Sequence, residues 1–300
     1  MPSWARASGR AGEGDPLFAA GANVALLDAF LRQDPPCAAS LRQRLALMSA
    51  AASAKILRLN ADEAALRDLR FAVGDAGPAA RLLQLWRDTT GRPPSLDPSR
   101  LAAAAARLDL AVDPNGLAPR LKACAGDGDP VSAAGNSATL VFCAFPDAPA
   151  AEAEILALWA FDMVLAIRLR WPRPVPLIAA KILDPTLRPP GASRQPRPDD
   201  PAWQNAAARA IALAAASALD LAADLSRRSE ILLAVAPKLR SKPAAKIVDL
   251  FLAEDCISPA EAARHAPMTD RAARRLFDRL VTLSAARELS GRPTFRLYGL

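Results

Sequence analysis

"AIALAAASALDLAADL", residues 210–225, is alanine and leucine broken only by one isoleucine, one serine and two aspartates. Alanine is the strongest helix former, and the run holds neither glycine nor proline. It predicts helix, and the pattern extends over about 202–236, as one long helix or as two broken near "SRRSE" (226–230). "LAAAAARL" (101–108) repeats the composition. Aromatics make up only 5% of the chain, and alanine supplies much of its 52% apolar content, so the expected fold class is mainly all-α.

Outward from that run, apolar residues recur at helical spacing. Residues 17–33 form one apolar stretch ending at "DPPC", and Leu41, Leu45, Met48, Ala52, Ile56 and Leu59 share one face of the next. Asn60, with Glu63 three residues on, reads as a capping-box start of a third helix. Further helices are expected near 77–90, 97–108, 114–124 and 148–170. Residues 125–145 are the least regular stretch and leave room for short strands. "DPTLRPPGASRQPRPDDP" (184–201) carries six prolines and is expected to be an extended, exposed loop. At 300 residues two domains are expected: a multi-helix domain over 1–236 and a small one over 243–300, divided at "APKLRSKP" (236–243).

The small domain is the informative one. Residues 244–255 place Ile247, Val248, Phe251 and Leu252 on one helix face. "SPAEAARHAP" then offers Ser258 as N-cap, Pro259 at the first helical position and Glu261 at the third. "TDRAARRLFDRLV" (269–281) starts at Thr269 or Asp270 and holds four arginines. At ~100° per residue, Ala273, Leu276, Phe277, Leu280 and Leu283 line one side, with Arg271, Arg274, Arg275, Asp278 and Thr282 opposite. "RELSGRPTFRLYGL" reads as a β-hairpin turning at 290–293, with Phe295, Leu297 and Leu300 as its apolar positions. Three helices and a hairpin in this order are expected to form a winged helix-turn-helix over 243–300.

Charge points the same way. The net charge is +7, and between Pro237 and Leu300 twelve Lys and Arg stand against seven Asp and Glu, so +5 of it lies at one end. The expected partner is duplex DNA, met by Arg271, Arg274, Arg275, Arg292 on the wing, Lys242 and Lys246. The helical domain is then expected to sense a signal or to dimerise. A homodimer suits paired half-sites, although no leucine seam long enough to carry one is present. The alternative is a protein-interaction scaffold, with the arginine face paired to Asp270 and Asp278.

"PSWAR" at the start, "LRWPRPVPLIAAKI" in the middle and "TDRAARRLFDRLVTLSAARELSGRPTFRLYGL" at the end resemble a bacterial family filed as domain of unknown function 1403. The resemblance spans essentially the whole chain and implies no activity, substrate or catalytic residue.

No enzyme is expected. The single histidine, His265, has no neighbouring Ser, Cys or paired carboxylate, and no phosphate loop, GxGxxG, HExxH or GxSxG occurs. Asp127 and Asp129 lie in a glycine-aspartate turn too poor in ligands for a cation. Asp28, Asp162 and Asp220 stand in apolar helices; converging, they would suit a metal-dependent enzyme, and otherwise arginines such as Arg42, Arg44, Arg168 or Arg209 are expected to pair with them. Trp4, Trp86, Trp159, Trp171 and Trp203 are expected as packing anchors. Cys37, Cys124, Cys143 and Cys256 fit neither a disulfide framework nor a zinc site. No cofactor is implied. The N-terminus lacks an apolar signal core, and "ILALWAFDMVLAI" (155–167) is too short and polar to span a bilayer, so a cytoplasmic, non-membrane protein is expected.

Overall fold

The computed structural model describes residues 15–72, 77–239, 243–292 and 295–300. They are mainly helical. In chain order the helices are α1 (Pro16–Arg32), α2 (Ala38–Ile56), α3 (Glu63–Leu69), α4 (Gly77–Gly91), α5 (Pro98–Ala106), α6 (Pro114–Cys124) and α7 (Pro130–Cys143). There follow α8 (Ala150–Arg168), α9 (Ile178–Lys181), α10 (Trp203–Val235), α11 (Ala244–Ala253), α12 (Pro259–His265) and α13 (Asp270–Thr282). Two short strands, β1 (Arg287–Glu288) and β2 (Tyr298–Gly299), pair antiparallel.

Asp-Pro pairs start several of these helices. Asp113 and Asp129 each take two backbone N–H groups on one carboxylate oxygen while the following proline fills the first helical position, where no N–H is needed. Asp97 precedes Pro98 in the same way but spends its carboxylate on Ser95 and Lys122 instead of a cap bond. The Asp129-Pro130 start accounts for one departure from the sequence: 125–145, expected to be the least regular stretch, contains the fourteen-residue helix α7. The third helix is capped by Asp62, whose Oδ1 accepts from the Ala65 amide, rather than by Asn60.

Close packing divides the chain into two units: residues up to 29 with 45–218, and 30–44 with 219–300. The break expected at 236–243 lies within the second of these units.

In the first unit α8 is the innermost element, buried on every side from Ala153 to Ala166. The four described tryptophans anchor the packing, and each indole N–H has an acceptor: Trp86 to Ser53 Oγ at 2.9 Å, Trp159 to Thr89 Oγ1 at 3.1 Å, Trp171 to Asp28 Oδ1 at 2.8 Å and Trp203 to the Gly135 carbonyl at 3.0 Å. A Cβ at Gly135 would stand 2.3 Å from Gln204 Oε1 and would push that side chain aside. The proline-rich 184–201 stretch is exposed around 190–194 and then returns to the unit. Pro196 and Pro198 are buried, Arg197 Nε reaches Glu154 Oε2 at 3.1 Å, and Thr139 Oγ1 donates to the Pro198 carbonyl at 2.7 Å. Proline content alone had implied a fully exposed loop. Continuous helix through "SRRSE" makes α10 a single 33-residue element. Among the described residues one helical run, Trp203–Lys238, is long and apolar enough to cross a membrane by length and composition, and 56% of its apolar window is buried inside the protein.

In the second unit, Phe277 of α13 lies between Phe251 of α11 at 5.3 Å and Tyr298 of β2 at 4.9 Å between ring centroids. Ile247, Ala262, Ala273, Leu280, Leu297 and Leu300 close this core. The hairpin is shorter than the sequence implies. Among the described residues two pairs, Arg287 with Gly299 and Glu288 with Tyr298, are in register, the Leu289 amide adds a bond to the Leu297 carbonyl at 2.8 Å, and Phe295 is exposed at φ 54° instead of extended. A second partner for β2 compensates: Ile257, ahead of α12, exchanges both backbone hydrogen bonds with Tyr298, at 2.8 and 2.9 Å. Asp255 beside it is buried and paired with Arg44. Gly299 passes so close to this strand that a Cβ would meet the Asp255 carbonyl oxygen at 2.5 Å. Gly299→Ala is therefore expected to cost about 1–3 kcal/mol by overpacking, read from urea denaturation.

Candidate nucleic-acid interface

α13 is held by its cap and by its seam. Thr269 Oγ1 accepts from the Ala272 amide at 3.2 Å, fixing the start, and Ala273, Phe277 and Leu280 are buried while Leu276 is half-buried. Leu283, expected in the seam, is exposed because the helix has ended at Thr282. Arg271 and Arg275 lie within about 30° of the direction opposite the seam. Both are exposed, and neither forms an ion pair among the described residues. Arg274, a quarter-turn round, pairs with Asp270 at 2.7 Å. An exposed i,i+4 pair is worth only ~0.3–0.5 kcal/mol, so Asp270 does not tie up the Arg274 charge. Arg279, on the other flank, donates to the Lys238 carbonyl at 3.3 Å.

Beside α13 a cleft of about 390 Å³ opens between Ser258 and Ala260 at the start of α12, Asp270, Arg274 and Asp278 of α13, and Phe295 and Tyr298 of the hairpin. Arg296 on its wall is held above the ordinary arginine range by its hydrogen bond to Tyr298 and by the charges of Glu288 and Asp278. Arg292 is exposed, and its carbonyl accepts from Arg296 Nε at 3.2 Å. Lys246 is exposed on α11, and Lys242 lies outside the described residues. The sequence reading thus located the arginine face. It missed the cleft, which depends on Ser258 and Phe295 meeting across 37 residues of chain.

The family described as protein of unknown function (DUF1403) matches the chain over residues 1–300. The chain belongs to this family. No curated protein matches it.

The aspartates of this DUF1403 chain do not gather. Asp162 is fully buried and accepts from the amides of Leu177 at 3.1 Å and Ile178 at 3.3 Å, so backbone N–H groups take the place of the expected arginine. Burial pushes its carboxyl up to about 8, against the opposing effect of those two amides. Asp28 receives the Trp171 indole, and Asp220 is exposed. Together Asp28 and Asp162 pin both ends of "WPRPVPLI" (171–178), the middle segment of the family resemblance. Arg168 donates to the carbonyls of Ala125 and Gly128, and Arg44 to Asp255. Among the described residues no three His, Cys, Asp or Glu side chains are grouped to hold a metal ion. His265 is exposed, and Asp129 is engaged as the α7 cap. None of the four cysteines forms a disulfide; Cys37 and Cys256 are buried and Cys143 is exposed.

Proposed function

We propose that residues 243–300 are a winged helix-turn-helix that docks α13 in the major groove of duplex DNA, and that the helical remainder of this cytoplasmic protein senses a signal or holds two copies together. The observation that carries the reading is the order α11, the Ile257 strand, α12, α13, β1, β2, with Ile257 bonded to β2. It matches three helices backed by a small sheet whose hairpin forms the wing. Arg271 and Arg275 supply unpaired charge at the centre of the docking face, Arg274 flanks them, and Arg292 on the wing and Lys246 on α11 reach neighbouring phosphates. Lys242 precedes α11 and adds to the same charge. Phosphate contacts set the register, and base edges within reach of Arg271 and Arg275 set the sequence read.

The Asp270–Arg274 pair and the acidic side chain of Asp278 favour a second reading, in which the same face meets a protein. Salt separates the two. On random duplex DNA, fluorescence anisotropy between ~50 and ~200 mM salt is expected to show affinity falling steeply, and Arg271→Ala with Arg275→Ala is expected to reduce the log–log salt slope by about 2. Binding that is absent, or a slope unmoved in the double variant, rejects the DNA reading and favours the protein partner.

A further inference from the structure

Three guanidinium groups converge in the first unit at a place the DNA reading does not use. Arg100 and Arg107 stand seven residues apart on and just beyond α5, on the same face as Ala103 and Ala104, whose small side chains leave room between them. With Arg92, just past the end of α4, they line a small cleft of about 40 Å³ floored by Thr89 and Trp159. One carboxylate, Asp88, faces them, and its Oδ2 already accepts from Arg107 Nη2 at 3.0 Å. Thr89 Oγ1 is likewise engaged, donating to the Leu85 carbonyl and accepting from the Trp159 indole.

Arg100 is left over. Its Nε and Nη2 are shut off from solvent and have no hydrogen-bond partner among the described residues. Native proteins rarely bury N–H donors unpaired, and a charged donor costs more than a neutral one. Burial and the repulsion of Arg92 depress its basicity, offset in part by Asp88. The cleft therefore carries two positive charges more than its own carboxylate balances. The cleft has room for one charged head, a phosphoryl or a single carboxylate group, and leaves the rest of a larger molecule outside it.

We infer that the Arg92–Arg100–Arg107 cleft is a binding site for a doubly charged oxyanion, a phosphate monoester or a dicarboxylate, whose charge offsets the excess of the three guanidinium groups. Guanidinium matches both, because its planar donors fit paired oxygens. The site gives the helical unit a ligand of its own and does not rest on the DNA reading, since none of its residues belongs to α13 or the hairpin.

The test uses the full chain at constant ionic strength, with chloride replaced stepwise by inorganic phosphate in one arm and by succinate in the other. Calorimetric titration and the melting temperature are read together. Saturable binding with a rise in melting temperature is expected in at least one arm, and the tighter arm identifies the headgroup. Arg100→Gln is expected to weaken that binding roughly ten- to hundredfold. Arg92→Gln, on the exposed rim, tests the same cluster without touching the interior and is expected to weaken it several-fold. Asp88→Asn removes the competing carboxylate and is expected to tighten binding, an outcome that a purely structural arginine cluster would not give. The proposal is overturned if neither anion does more than chloride, or if binding is unchanged in both arginine variants.

Discussion

Stability is expected to fall as the pH rises from about 4 to about 8, because Asp162 is held protonated by the fold. Its carboxyl titrates near 3.8 in the unfolded chain and is pushed up to about 8 in the folded one, burial outweighing the Leu177 and Ile178 amides. Between those values the folded state holds one proton more than the unfolded state. The stabilisation is complete below the unfolded pKa and is lost as pH rises toward the folded one, at about 1.4 kcal/mol per pH unit for a single proton. Asp162→Asn removes the titration while keeping a carbonyl to accept from one amide. Urea denaturation at a series of pH values is expected to give a flatter profile for the variant, which becomes the more stable protein toward pH 8 by a few kcal/mol. Identical slopes for both proteins would mean that the two amides keep the carboxylate ionised inside the fold.

Asp162 also marks where sequence reasoning ends. Its place in an apolar helix was legible, and so was the need for a compensating group, but the group proved to be two backbone amides fifteen and sixteen residues away. A side-chain inventory cannot find a backbone donor. The helices themselves were legible wherever alanine or apolar periodicity ran unbroken, as in α8 and α10. α7 was not, because Asp129-Pro130 was read as the end of a turn when it is the start of a helix. Asp-Pro carries both meanings, and the deciding contacts, the Val131 and Ser132 amides on Asp129, lie after the proline.

The candidate interface divides in the same way. Periodicity placed Arg271 and Arg275 opposite Ala273, Phe277 and Leu280, and the capping pattern placed Ser258 and Thr269 at their helix starts, because both depend on neighbours within a turn. The Ile257 strand escaped notice: it is one residue long, and only its pairing with Tyr298, 41 positions on, makes it a strand. Arg100 comes from α5, and Arg92 and Arg107 from the segments just beyond α4 and α5. Only the packing of α4, α5 and α8 brings them to one cleft, and their spacing has no signature of its own.

Phe277→Ala is expected to be the most damaging single change in the second unit, at about 3–5 kcal/mol. The ring is fully buried, and it joins three elements: α13, which carries it, α11 through Phe251 and β2 through Tyr298. Truncation leaves a cavity that these rings cannot fill without moving their helix and strand, and it forfeits about 0.5–1.5 kcal/mol for each lost ring pair. Arg271→Ala, on the exposed face of the same helix, is expected to stay within about 0.5 kcal/mol of the parent. Urea denaturation of both variants isolates packing from charge, and the anisotropy assay completes the comparison. Phe277→Leu, which refills most of the volume, is expected to recover much of the stability and, if α13 docks on DNA, the binding as well. Arg271→Ala is expected to do the reverse, keeping the fold and losing affinity. A Phe277→Ala variant that loses less than about 1 kcal/mol would mean that the ring does not tie α13 to the strands, and with that the orientation of the arginine face would lose its physical basis.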